Sequence, residues 1–114
     1  MKNVSDQFFF FLNKACMSTG PHWNPSGTNH GSLGGAESHD GDLGNVVIEP
    51  VNGRIVTEIR SSKLQLTGVT SIIGRSVVLH EKPDDGGVGS SPQSLVNGNA
   101  GNRIACGSIV FDKL

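Results

Sequence analysis

The apolar residues of this chain occur in short β-branched runs, and no window of about twelve residues repeats them at helical spacing. Val46-Val47-Ile48 and Ile55-Val56 flank Asn52-Gly53, a dipeptide that favours a hairpin turn because both central residues of that turn need positive φ. Leu64 and Leu66 alternate with polar residues, as in a half-buried strand. The pattern predicts an all-β protein whose four or five strands lie near residues 45–50, 54–60, 63–67, 75–80 and 103–111.

Two long segments, residues 17–44 and 81–102, lack any such pattern and hold most of the 16 glycines. Structureless loops of this length are uncommon in small domains and are usually functional or disordered. Three of the four histidines lie in the first segment, and His80 lies immediately before the second. We therefore expect the chemistry of this protein to lie in these two loops.

Composition excludes several classes of protein. The 9 Lys and Arg residues against 10 Asp and Glu leave no basic stripe to neutralise phosphates, so no nucleic acid is expected as a partner. No apolar run approaches the ~20 residues of a membrane-spanning helix. The start of the chain also lacks the basic and apolar regions of a signal peptide. We therefore expect a single small domain that contacts no membrane and resides in the cytoplasm.

The first loop has the composition of a metal site. His22, His30, His39 and Asp42 are separated by 8, 9 and 3 positions. Three imidazoles and one carboxylate make a closed tetrahedral zinc shell, and a closed shell is structural rather than catalytic. Metal binding would also offset the entropy lost when a Gly-rich loop becomes ordered. The alternative is that these side chains are solvated and unrelated, and the spacing alone does not decide between the two.

Three blocks of the chain resemble the copper/zinc superoxide dismutase family. Gly20-Pro21-His22-Trp23-Asn24-Pro25, followed by His30 and by residues 39–45, is similar to the zinc loop of that family. Residues 73–85 resemble the strand and loop that carry a copper ligand, and residues 98–107 resemble the C-terminal signature. The order and spacing of the blocks agree, and the resemblance covers about residues 16–113.

The resemblance implies two metals, zinc and copper, and superoxide as the substrate. His30, His39 and Asp42 would bind zinc alone, while His22 would be the imidazolate that bridges zinc and copper. His80 would be a further copper ligand. The family activity is the dismutation of superoxide to oxygen and hydrogen peroxide.

Further roles follow from the same resemblance. Asp84 would orient the ligands of both metals without binding either, and Arg103 would attract the superoxide anion beside the copper. The two cysteines, considered alone, form either one bridge or two reduced thiols, and thiols are usual in the cytosol. The resemblance favours a disulfide between Cys16 and Cys106.

The chain also departs from the family. Family members carry a His-x-His pair of copper ligands before the position of Cys16, but residues 1–15 contain no histidine. Two of the four copper ligands are therefore missing. The family fold is an immunoglobulin-like Greek-key β-sandwich or barrel. We expect an incomplete form of it, with one sheet plus the two long loops, which are called the zinc loop and the electrostatic loop in this family. Residues 1–15 are interpreted as an unrelated N-terminal segment, and residues 16–114 as a partial domain truncated at its N-terminus.

Three hypotheses follow. The chain is a superoxide dismutase by ancestry that is active only if a partner chain supplies the missing sheet, a non-catalytic zinc-binding remnant, either alone or bound to an intact family member, or a truncated product that does not fold alone. A homodimer is a further possible assembly. The segment Phe8–Leu12 is either a short strand that covers the exposed sheet or part of a disordered tail.

Overall fold

The computed structural model describes residues 11–12 and 15–112. Within these residues the elements are strand β1 (Phe11–Leu12), a 3₁₀ helix (Ala15–Thr19), strand β2 (Ser76–His80), helix α1 (Ser94–Asn97) and strand β3 (Arg103–Ser108). No helix of the described residues is long and apolar enough to cross a membrane. Most of the predicted segment Phe8–Leu12 lies outside the described residues, and its last two residues form β1.

The three strands form one antiparallel sheet in the order β1-β3-β2. Strand β3 is central, and its Cys106 lies opposite Phe11 of β1 and Val78 of β2. Strand β2 contains the run Val77-Val78-Leu79, and β-branched side chains pack well on a pleated surface. The predicted strands near residues 75–80 and 103–111 are therefore confirmed, and the second of them ends earlier than expected.

The predicted hairpin around Asn52-Gly53 is present only as a turn. Ile48 and Ile55 form one isolated antiparallel bridge, and Gly53 has a positive φ of 65° whereas Asn52 does not, so the expected turn type is not formed. The strands predicted at residues 45–50 and 54–60 are wrong, because no ladder extends beyond that bridge. The physical reason is that a two-stranded hairpin is marginal without a third strand or a covering layer.

The strand predicted at residues 63–67 is also wrong. Its alternating pattern is real, since Leu64 and Leu66 are half-buried and the residues after each of them are exposed. However, Gln65 pairs only with Ser71, in one isolated parallel bridge. A strand needs a neighbour along its whole length, and the amphipathic pattern alone does not supply one.

The chain divides into two compact units. The first comprises the residues up to Pro21, Leu64–Lys82 and the residues from Ala100 onward, and it contains the sheet. Its buried apolar residues are Cys16, Ala100, Cys106 and Ile109. The second unit comprises His22–Lys63 and Pro83–Asn99.

The buried side chains of the second unit are polar. Among the described residues they are His30, Ser38, His39, Asp42 and Ser94. A polar interior gives little hydrophobic stabilisation, so the order of this unit depends strongly on hydrogen bonds among its buried side chains. This is the unit that carries the predicted zinc residues, whereas the predicted copper ligand His80 belongs to the first unit.

Candidate metal centre

Four side chains of the second unit point their ligand atoms at one another. They belong to His22, His30, His39 and Asp42, and all four ligand atoms lie within 4.8 Å of each other. The Oδ1 atom of Asp42 is 2.8 Å from Nδ1 of His22, 2.9 Å from Nδ1 of His30 and 3.1 Å from Nδ1 of His39. His22 is half-buried and the other three residues are buried. The structure therefore brings together the four residues that the loop composition offered as a zinc shell and that the family resemblance implies.

A tight turn places His39 and Asp42 beside the start of the loop. The Asp42 N–H donates to the His39 carbonyl, and the Gly41 N–H donates to the Trp23 carbonyl at 2.9 Å. A Cβ atom at position 41 would lie 3.0 Å from the Trp23 nitrogen, closer than side chains normally approach. Glycine at position 41 therefore permits the close approach that brings the turn next to Trp23 and its neighbour His22.

Asp42 uses its two oxygens differently. Its Oδ1 atom faces the imidazoles, while Oδ2 accepts the backbone N–H groups of Gly31 and His39 at 2.9 and 2.8 Å. Burial raises the pKa of Asp42, but the hydrogen bond with His22 and those from Gly31 and His39 outweigh it and hold the pKa at about 2. The carboxylate is therefore ionised at neutral pH, which is the form that binds a cation.

His30 connects the centre to the second loop. Its Nδ1 atom faces Asp42, and its Nε2 atom lies 2.8 Å from Oδ1 of Asp84. Asp84 is held in turn by Asn45, which donates from Nδ2 to the Asp84 carbonyl and accepts the Asp84 N–H. The resemblance predicted an orienting role for Asp84, but Asn45 was not predicted. Its only signal was its position at the end of the histidine motif.

The donor set fits zinc. Zinc is bound tetrahedrally by imidazole nitrogen and carboxylate oxygen at ~2.0–2.2 Å, which places neighbouring donors about 3.3–3.6 Å apart. The observed separations between Asp42 Oδ1 and the imidazole nitrogens are 2.8–3.1 Å, and the nitrogens of His22 and His39 are 3.2 Å apart. Three imidazole nitrogens facing one carboxylate oxygen at these distances are well satisfied by a central cation.

The histidines of this chain do not fit a complete copper site. Imidazole-rich Cu(II) sites are tetragonal and take about four donors. Of the four histidines, His30 and His39 belong to the cluster alone, so only His22 and His80 are left for copper. His80 lies in the first unit, at the end of β2, and its Nδ1 is 3.0 Å from the Gly101 carbonyl. The histidines of this chain alone therefore do not complete a copper site.

Arg103 is anchored within the first unit. Its Nη1 donates to the Cys16 carbonyl at 3.0 Å and to the Thr19 hydroxyl at 2.9 Å, and that hydroxyl donates to the same carbonyl. Cys16 and Cys106 form the expected disulfide, which joins residues 90 positions apart. The disulfide thus holds the carbonyl that anchors Arg103. Thr19 was not predicted, because a hydroxyl in a polar loop gives no distinguishing signal.

Comparison with known proteins agrees with these features. The sequence model of the family described as "Copper/zinc superoxide dismutase (SODC)" matches residues 6–109. The chain is 50% identical over 96 residues to "Superoxide dismutase [Cu-Zn] A" of Xenopus laevis, covering 84% of this chain and 62% of the relative. It is 49% identical over 94 residues to "Extracellular superoxide dismutase [Cu-Zn]" of Caenorhabditis elegans, covering 82% of this chain and 42% of the relative.

A solved structure gives the same result for the fold. The structure titled "Crystal Structure Analysis of the clock protein EA4" matches with a TM-score of 0.79 and 40% identity, over 92% of this chain and 70% of that one. The chain spans less than two thirds of the length of the two superoxide dismutases from Xenopus laevis and Caenorhabditis elegans. The family uses copper and zinc, and the His–Asp cluster resembles its zinc site. With a family model matching nearly its whole length, this chain belongs to the copper/zinc superoxide dismutase family.

Proposed function

We propose that this chain binds one zinc ion through His22, His30, His39 and Asp42. The observation that supports it is the convergence of four ligand atoms within 4.8 Å in a unit whose buried side chains are polar. Zinc has no accessible redox step, so the ion would supply structural order rather than electron transfer. The free energy of binding would offset the entropy lost in fixing the Gly-rich loop.

Zinc binding can be tested with two matched histidine variants. Competition against a chromophoric chelator should show one zinc per chain, and His39→Ala should abolish that site. His80→Ala removes a histidine outside the cluster and should leave zinc binding unchanged. Trp23 is the single tryptophan, the chain has no tyrosine, and Trp23 follows His22, so its emission reports on the same loop. Equal zinc binding by wild type and His39→Ala would contradict the proposed ligand set.

We infer that the reaction of the whole protein is the dismutation of superoxide. Two superoxide anions and two protons give one oxygen and one hydrogen peroxide, so one anion is oxidised and the other is reduced. Family membership supports this inference. Arg103 is the residue of this chain suited to attract the anion, because it carries a fixed positive charge on a side chain held at the Cys16 carbonyl.

We propose further that a second copy of this chain covers the segment 46–59. The support is exposed apolar surface, since Val47, Val51 and Val56 are 81, 97 and 68% exposed. The backbone of this segment forms one isolated β-bridge, between Ile48 and Ile55. An unpaired apolar segment is a template for strand pairing. Light scattering should then show a dimer, and Val51→Lys with Val56→Lys should weaken it. Val88→Lys, another exposed valine of the same unit, is the control and should have no effect.

The cytoplasmic localisation stays a prediction, as does the domain boundary between residues 15 and 16. The name of the Caenorhabditis elegans relative places that protein outside the cell. Fractionation of cells expressing the tagged chain would test the prediction directly, with the tag at the C-terminus so that the start of the chain is unaltered.

A further inference from the structure

Lys63 binds three oxygen atoms of the metal loop. Its Nζ donates to the Gly35 carbonyl at 2.7 Å, the Ser38 carbonyl at 3.1 Å and the Ser38 hydroxyl at 2.7 Å. An ammonium has three N–H donors, so this arrangement uses all of them. None of the ion pairs among the described residues involves Lys63. The charge of this lysine is therefore directed at the backbone of the loop rather than at a carboxylate.

The acceptor residue Ser38 is fixed from several sides. It is 1% exposed, and its hydroxyl donates to the Gly35 carbonyl at 2.7 Å. Its own carbonyl accepts the Thr28 hydroxyl at 2.7 Å as well as Lys63. A carbonyl oxygen has two lone pairs, and both are used here. The position of the Ser38 carbonyl is thus determined by hydrogen bonds from two separate side chains.

The peptide group between Ser38 and His39 links Lys63 to the metal centre. Its carbonyl faces the ammonium of Lys63, and its N–H donates to Oδ2 of Asp42 at 2.8 Å. A cation at the carbonyl polarises the peptide and strengthens its N–H as a donor. The bond to Oδ2 leaves Oδ1 of Asp42 facing the three imidazoles. Through one peptide group, Lys63 therefore acts on two members of the cluster, His39 and Asp42.

We propose that Lys63 is a positioning residue for the metal centre. Its ammonium fixes the Ser38–His39 peptide so that the His39 ring and the Asp42 carboxylate are already in place when a metal ion arrives. Pre-organised ligands lose less entropy on binding, so the lysine raises metal affinity without touching the ion. This proposal rests on the proposed zinc site and names a residue that positions two of its ligands.

Lys63→Met tests the proposal, because it keeps most of the side-chain volume and removes all three donors. Zinc affinity is measured by chelator competition, and the absorption of Co²⁺ bound in place of zinc reports the ligand geometry. We expect zinc affinity to fall about 10- to 100-fold, which is the range typical for residues that orient metal ligands through hydrogen bonds. We also expect an altered Co²⁺ spectrum. Lys82→Met removes an exposed lysine of the first unit and should change neither quantity.

The outcomes separate this proposal from the zinc proposal. A Lys63→Met chain that is less stable to urea but keeps its zinc affinity and Co²⁺ spectrum overturns the positioning role and leaves the zinc site standing. A wild-type chain that binds no zinc overturns both. If Lys63→Met does not fold, Lys63→Gln replaces it, since a neutral amide keeps two donors and removes the charge at the Ser38 carbonyl. That variant should lose zinc affinity several-fold, and an unchanged affinity overturns the proposal.

Discussion

The imidazole of His30 and the carboxylate of Asp84 share a hydrogen bond of 2.8 Å between Nε2 and Oδ1, across 54 positions of sequence. With Nε2–H donating to the carboxylate, Nδ1 of the same ring keeps its lone pair for a metal. The His30 side chain is fully buried at this bond, and the Asp84 side chain is partly buried, with 16% of it exposed. The pair therefore sets the tautomer of one ligand from a different loop of the same unit.

Replacing Asp84 should weaken zinc binding. Asp84→Ala removes the acceptor of the His30 Nε2–H, and partners of this kind commonly contribute about 10- to 100-fold in metal affinity. Asp84→Asn can present its amide oxygen to the same N–H and should have a smaller effect. Chelator competition measures both variants. Asp112→Ala, an exposed carboxylate, is the control. Equal zinc affinity in Asp84→Ala and wild type would remove the orienting role from Asp84.

Residue type and a local motif marked His22, His30, His39 and Asp42 as candidate ligands, and the family resemblance decided for a metal site where the spacing alone did not. His39 and Asp42 lie three positions apart in one turn, and three histidines in a Gly-rich loop are distinctive. Lys63 and Asn45 were not predictable, because most of their partners are backbone atoms, and these belong to segments distant in sequence. The strand at residues 54–60 was predicted wrongly, because a β-branched run does not reveal whether a neighbouring strand is available to pair with it.

Substitution of Gly98 should destabilise the protein more than substitution of Gly53, which has a similar backbone conformation but no neighbouring atoms. Gly98 has φ +69° and Gly53 has φ +65°, so alanine at either position costs about 1–2 kcal/mol from the left-handed conformation. A Cβ at position 98 would also overlap the Asp84 carboxylate and approach His30 Nε2, while position 53 has no neighbour within 4 Å.

Urea unfolding of zinc-loaded Gly98→Ala and Gly53→Ala separates these two effects. We expect Gly53→Ala to lose about 1–2 kcal/mol of unfolding free energy and to keep its zinc affinity. Gly98→Ala should lose more stability and bind zinc more weakly, because the overlap displaces the partner of His30. Similar losses in the two variants would mean that the Asp84 side chain moves aside at little cost.

The bond between Asp85 and Ser94 should make the stability of the second loop depend on pH. The Ser94 hydroxyl donates to Oδ2 of Asp85 at 2.6 Å and lowers the pKa of that carboxyl below its ordinary value, assisted by backbone N–H donors and opposed by burial. A carboxyl with a lowered folded-state pKa contributes stability above its unfolded pKa of about 3.9, and this is lost as pH falls through the folded value.

Ser94→Ala should therefore be destabilised relative to wild type at pH 7, and part of the difference should disappear below about pH 4. The measurement is urea unfolding of the zinc-free proteins at several pH values, so that zinc release does not contribute. Ser90→Ala, an exposed serine of the same loop, is the control. A difference between Ser94→Ala and wild type that stays constant from pH 7 to low pH would show that the hydroxyl acts independently of the charge on Asp85.

Reduction of the disulfide should destabilise the first unit strongly. The bridge closes a loop across 90 positions, for which the chain-entropy model gives roughly 4–5 kcal/mol. Urea unfolding with and without a reductant measures this, and a Cys16→Ala/Cys106→Ala chain should not respond to the reductant. Reduction should also loosen Arg103, whose guanidinium is held by the Cys16 carbonyl. Reaction of Arg103 with phenylglyoxal should therefore become faster.

The 114-residue chain, tested alone, should show little or no superoxide dismutation even after loading with both metals. Only His22 and His80 are left for copper once the zinc cluster is complete, and loss of ligands from a redox metal changes its geometry, its potential and its retention together. Arg103 cannot compensate, because a charge that attracts the anion does not hold the metal.

The measurement needs dialysed protein with its metal content determined beside its activity, because free copper itself dismutates superoxide and would give a false signal. We expect about one zinc and well under one copper per chain, with activity no greater than that of His80→Ala. Copper close to one per chain, with activity that disappears in His80→Ala, would contradict this prediction. It would mean that another group, or a second chain, completes the copper shell around His22 and His80.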